Sequence, residues 1–202
     1  MLGLPKATEL NKQLPKKAIY AKFKMNTAEK EKMDKDISRI TIVNEVSPSK
    51  VSLSPGKEVQ SFFVILVALK RKDYSEKTIN TLSNLIPQNL ILVLQYDDKA
   101  KLAIYRTKLL QTEWKSLNDL KIHLQGLDFD KVWENVVLQI AGMNLENGNS
   151  LDAQIEINSK KEKIKKEIEK LEKQARAEKQ PKKKFALVSK IKKLKNDILM
   201  FK

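Results

Sequence analysis

The chain has 202 residues, with 40 Lys+Arg, 25 Asp+Glu, one His and no Cys. The lack of Cys excludes a disulfide framework, a thiolate zinc site and a cysteine nucleophile, and a single His excludes a multi-histidine metal centre. A formal net charge of +15 implies an acidic partner, with nucleic acid the leading chemistry. A hydrophobic content of 41% is enough for a packed core. Residues 1–17 contain no apolar signal core, and the longest apolar run, Phe62 to Leu69, is far shorter than the ~20 residues of a membrane helix. The expectation is a cytoplasmic protein with no membrane association.

Residues 6–24 carry a helical spacing of Leu10, Leu14, Ile19 and Phe23, which Pro15 should kink or split. Asn26-Thr27-Ala28-Glu29 reads as a capping box opening a helix that ends near Ile40. Ile40 to Val46 is rich in β-branched residues and reads as a strand. A turn-rich stretch follows, around a short candidate strand Val51-Ser52-Leu53. Gln60 to Leu69 is apolar on both faces, as a central strand covered from two sides would be. Ser75 opens a helix with apolar positions Ile79, Leu82, Leu85 and Ile86, stopped by Pro87.

Asn89 to Tyr96 and Lys101 to Arg106 flank the acidic turn Asp97-Asp98-Lys99-Ala100, which predicts a β-hairpin. Leu109 to Trp114 adds an edge strand. Asp128 caps a helix whose buried face is Val132, Trp133, Val136, Val137 and Ile140, and Gly142 ends it. The Asn-, Gly- and Ser-rich run 144–150 reads as a linker.

Beyond the linker the composition changes. Residues 159–202 hold 17 Lys+Arg against 6 Asp+Glu, a net of +11, leaving +4 for the first 158 residues. Ile157, Ile164 and Leu171 recur every seven residues, with Ile168 between the last two. Leu187, Ile191, Leu194, Ile198 and Phe201 follow a 4-3-4-3 spacing, an apolar seam over two heptads. Pro181 falls between the two stretches and marks a turn. The expectation is an α+β domain over 1–145, with a mixed sheet of about five strands flanked by helices. A basic antiparallel helical hairpin follows over 152–202, with helices near 152–178 and 184–200. The seam alone buries too little to order the arm, which calls for the globular domain, a second copy of the chain or a partner protein.

No catalytic constellation stands out, and no cofactor or metal is expected. There is no phosphate-cradling glycine loop among the five glycines. His123 reads as structural or solvated, and Asp97-Asp98 as turn residues rather than metal ligands. Asp128 and Asp130 read as helix-start residues. The element order from Asn26 to Arg106 resembles the αβββαβ core of restriction-endonuclease-like nucleases, which hold a metal with an Asp and a Glu-x-Lys. Glu58-x-Gln60 is the nearest echo of that motif, and the preceding segment has no Asp. The alternative function is therefore a metal-dependent nuclease using Glu58 and Gln60, or an inactive relative.

The leading reading places nucleic-acid binding on Lys182, Lys183, Lys184, Lys190, Lys192, Lys193 and Lys195. A competing reading leaves these lysines as a solvated helical face, interleaved with Glu162, Glu167, Glu169 and Glu172. The scarcity of Arg supports the solvated-face reading, and where nucleic acid binds it points to backbone contacts with little sequence preference. Leu187, Ile191, Leu194 and Ile198 are the candidate partner-binding seam.

The stretches Leu2 to Lys17, Ile40 to Ser49, Ile86-Pro87 before the Ile91–Tyr96 strand, and Gln180 to Leu194 carry a further similarity. Through them the whole chain resembles the uncharacterised prokaryotic domain-of-unknown-function family 4391, often encoded beside helicases and DNA methyltransferases. The resemblance implies an accessory role in DNA defence, with a helicase or methyltransferase as partner, and no established activity; with no catalytic constellation in the sequence, the expectation is a non-enzymatic accessory subunit of a DNA-processing or anti-phage defence complex. It supplies no site residues.

Overall fold

The computed structural model describes residues 2–146 and 148–200. Phe201, the last residue of the expected seam, lies outside them. The chain divides into two compact units, Met1–Asn144 and Leu145–Lys202. Among the described residues, no helix is long and apolar enough to cross a membrane.

The first unit is built on a mixed sheet. Strands β1 (Glu9–Leu14), β2 (Ile37–Val46), β3 (Phe62–Leu69), β4 (Asn89–Tyr96), β5 (Lys99–Tyr105) and β6 (Leu109–Gln111) lie side by side in that order, and β7 (Lys115–Ser116) also pairs with β5. Among the strands of the described residues only β3 and β4 run parallel, with Phe62 opposite Asn89; the other strand pairs are antiparallel. A parallel pair needs a crossover, and helix α4 (Glu76–Leu85) provides it. The α+β class and mixed sheet are as expected, but the sheet has seven strands rather than about five.

The central strands explain the layers. Successive side chains of a strand point to opposite faces. Ile65, Val67 and Leu69 of β3 join Leu90, Leu92 and Leu94 of β4 in one core. That core includes Ile19 of α1 (Lys16–Lys22), Met33 of α2 (Thr27–Asp36), and Ile79 and Leu82 of α4. On the other face Phe62 meets Phe129 and Trp133 of α5 (Phe129–Ala141), with ring centroids 6.2 and 5.3 Å apart. Both faces of β3 are thus covered, which is why its sequence is apolar throughout.

Four local readings are corrected. Residues 6–24 are not one helix: Lys6–Thr8 is a 3-10 turn, Glu9–Leu14 is strand β1, and Pro15 stands at the N-cap of α1. The Asn26–Glu29 capping box forms as expected, but α2 ends at Asp36, where the β-branched run of β2 begins. Val51-Ser52-Leu53 is no strand. Pro48 starts a one-turn helix α3 (Pro48–Val51), which Ser52 ends with a left-handed φ of 53°. Three consecutive strands after a helix, the signature of the nuclease-like core, are therefore absent from this stretch. The β4–β5 turn is tighter than expected, comprising Asp97 and Asp98 alone, with Asp97 at φ 51°. Asp tolerates that backbone, which accounts for the acidic pair.

The second unit is a pair of helices. α6 (Leu151–Ala177) opens on Ser150, whose hydroxyl accepts from the Ala153 N–H. Gln154 ties down the approach to it: its Oε1 accepts from the Glu146 N–H and from Asn149 Nδ2. Residues 178–180 connect to α7 (Pro181–Met200). Pro181 is the first residue of α7 rather than a breaker ahead of it, because its fixed φ and missing N–H suit the first helical position. Ile168, Leu171 and Ala175 pack with Ile191, supported by Ile164, Leu187, Leu194 and Ile198.

Candidate functional site

The hairpin sorts its lysines. Leu187, Ile191, Leu194 and Ile198, the candidate docking seam, are filled by Ile164, Ile168, Leu171 and Ala175 of α6. The seam thus packs within the hairpin, with Ile191 buried and Leu187, Leu194 and Ile198 partly buried. Lys190 and Lys195 flank it and pair with α6: Lys190 Nζ lies 2.8 Å from Glu167 and Lys195 Nζ 2.9 Å from Glu172. The Lys195 ammonium holds the Glu172 carboxyl below its ordinary range, aided by Arg176. The other five, Lys182, Lys183, Lys184, Lys192 and Lys193, are exposed, and no carboxylate lies within ion-pair distance of any of them among the described residues. Three of the five crowd the first turn of α7, where the helix dipole disfavours cations. Among the described residues, no ion pair of the hairpin uses them.

In the first unit, Glu58 is tied down through its backbone and Gln60 through its side-chain amide. The Glu58 N–H donates to Asp130 Oδ1 at 3.1 Å, and Gln60 Nε2 donates to the Gly56 carbonyl at 2.6 Å. Both lie in the approach to β3, and neither side chain meets a second acid. Among the described residues no group of three or more His, Asp or Glu could hold a metal ion. His123 is exposed, and its backbone N–H donates to Gln139 Oε1 at 3.1 Å.

Three groups carry more than their sequence positions suggested. Asp130, expected as a helix-start charge, accepts the N–H groups of Lys57, Glu58 and Val59 at 2.7, 3.1 and 2.8 Å. The Val59 N–H, with those of Lys57 and Glu58, outweighs burial and holds its carboxyl below the ordinary range. Asp36 is 1% exposed at the end of α2. Burial alone would raise its pKa, but the Ser75 N–H, the Thr78 hydroxyl and the Arg71 guanidinium together keep it low. Lys101 has its ammonium 5.1 Å from the Tyr74 ring and 5.0 Å from the Trp114 ring. Burial lowers its pKa, against the attraction of Glu76 and Glu113. The Tyr74 hydroxyl donates to Gln111 Oε1, and Gln111 Nε2 donates to Glu76. Only long-range pairing assembles these three sites, so residue spacing carries no signal for them.

A half-open apolar groove of about 260 Å³ lies between α1 and the sheet, floored by Ile42, Phe63, Ile65 and Leu90. Its walls carry one cation, Lys22, and one amide, Gln88. That lining lacks the convergent polar groups that orient a reacting substrate.

The model of a family described as a domain of unknown function (DUF4391) matches residues 2–198. The chain belongs to that family. The match runs through both units, so in DUF4391 the helical pair is part of the family's pattern and not an appendage. No curated protein and no solved structure matches the chain.

Proposed function

We propose that this DUF4391 protein is a non-enzymatic accessory subunit of a prokaryotic DNA-processing or defence complex, and that its C-terminal hairpin holds nucleic-acid backbone. The observation that carries the binding role is the division of labour among the hairpin lysines. Lys190 and Lys195 are neutralised by α6, whereas Lys182, Lys183, Lys184, Lys192 and Lys193 face outward unpaired. A solvated face needs charge of either sign; this one concentrates a single sign at a helix end that opposes it. Lysine ammoniums are point charges without the planar fork that reads base edges, so the contacts fall on phosphates and are sequence-tolerant. A helicase or methyltransferase would supply the chemistry that this chain's own side chains do not assemble.

The test is fluorescence anisotropy with a labelled 20-base-pair duplex and the full-length chain at low salt. Replacing the five unpaired lysines by Gln should abolish binding, and replacing them by Arg should preserve it. Equal affinity of the Gln variant and the wild type would overturn the assignment.

A further inference from the structure

The outer face of α7, opposite the seam, carries a second lane at helical spacing: Lys182, Phe185, Ser189, Lys192, Asn196 and Leu199. Phe185 is 74% exposed in this lane, one turn after Lys182 and beside Lys184. A phenyl ring so fully exposed forgoes the gain of burial and offers an apolar face to a ligand. The lane itself decides which ligand. A partner helix needs continuous apolar positions. Here Val188, 50% exposed, stands one turn after Phe185, and the next exposed apolar side chain, Leu199, is about 21 Å beyond Phe185 at 1.5 Å per residue, with Ser189, Lys192 and Asn196 between, so the apolar patch spans a single turn. A second copy of this chain would bring the same cations and be repelled. A lone aromatic ring framed by unpaired ammoniums matches a nucleobase flanked by phosphodiesters, since every base has a π-face and its backbone is anionic.

We infer that Phe185 is a stacking platform for an unpaired base, and that the hairpin prefers single-stranded nucleic acid over duplex, with Lys182, Lys184 and Lys192 on the flanking phosphates. This rests on the backbone-binding reading above. Duplex bases are stacked on their neighbours and offer the ring no face, so only single strands gain from it.

The test compares 15-nucleotide oligo-dT, 15-nucleotide oligo-U and a 15-base-pair duplex against the full chain and its Phe185→Ala, Phe185→Leu and Phe185→Tyr variants. Phe185 is outside every core, so these variants keep the fold, and circular dichroism verifies it. Phe185→Ala and Phe185→Leu should each weaken single-strand binding roughly 5- to 150-fold and leave duplex binding within about twofold. Phe185→Tyr should restore it. Comparable losses with oligo-dT and oligo-U assign the site to the base face, and a loss with only one confines it to that nucleic acid. Full affinity in Phe185→Leu overturns stacking in favour of a plain apolar contact. Unchanged affinity in all three variants, with duplex binding intact, overturns the platform alone. No binding of any probe by the wild type overturns the platform and the backbone reading together.

Discussion

Glu167 of α6 and Lys190 of α7 meet at 2.8 Å beside the seam in which Ile191 packs with Ile168. The apolar cluster and the ion pair hold the same two helices, yet by forces of unequal size. Ile191 is buried, while both members of the pair are about half exposed. Ile191→Ala should cost about 2–4 kcal/mol of local stability. Glu167→Ala should cost under about 1 kcal/mol, because water screens the pair. Hydrogen exchange of the α6 and α7 amides measures both, and equal losses would contradict this ranking.

Asp36 makes the first unit acid-sensitive. Its folded pKa lies below its unfolded value, near ~3.9, so its contribution to stability is complete above that value and is lost as the pH falls through the folded pKa. Asp36→Asn removes the charge paired with the part-exposed Arg71 guanidinium and weakens the bonds from Ser75 and Thr78. Urea unfolding followed by Trp fluorescence should show a loss of roughly 1–3 kcal/mol at neutral pH, mostly from the buried bonds, since water screens the part-exposed Arg71. The gap between wild type and variant should shrink toward about pH 3. A gap that stays constant with pH would remove Asp36 as the cause.

Gly56 is held against Asp130 by the clamp on residues 57–59. A methyl group at position 56 would sit 2.7 Å from the Asp130 backbone nitrogen and against its carboxylate. Gly56→Ala should therefore destabilise the first unit by about 1–3 kcal/mol. Asp130→Ala releases the three N–H groups and should raise proteolysis between residues 54 and 61. Thermal unfolding reads the first variant and limited proteolysis the second. Wild-type behaviour in both would mean the loop is held by something else.

The sheet was legible where a strand's own residues dictate burial. β3 is apolar on both faces because helices cover both, and the Asn26–Glu29 box and the α7 seam are local patterns that formed as read. β1 was not legible, because Leu10 and Leu14 are spaced like a helix face and only pairing with β2 makes the segment a strand. The Val51–Leu53 segment went wrong for a local reason, Pro48 at a helix start outweighing two β-prone residues. Asp36 and Asp130 escaped because their partners lie 35 and 71 residues away. In the hairpin, the lysine run was plain, but its division into paired and unpaired members depends on where α6 places Glu167 and Glu172.

The most direct measurement of the central claim is the salt dependence of nucleic-acid binding by the full chain and by its Lys182→Ala/Lys183→Ala/Lys184→Ala variant. Each neutralised phosphate contributes about 0.9 to the slope of log K against log salt on duplex DNA. The account predicts steep, linear salt dependence in the wild type and a slope smaller by roughly 2–3 in the variant. Identical slopes, or no binding by the wild type at about 50 mM salt, would contradict it and leave the hairpin lysines as a solvated face.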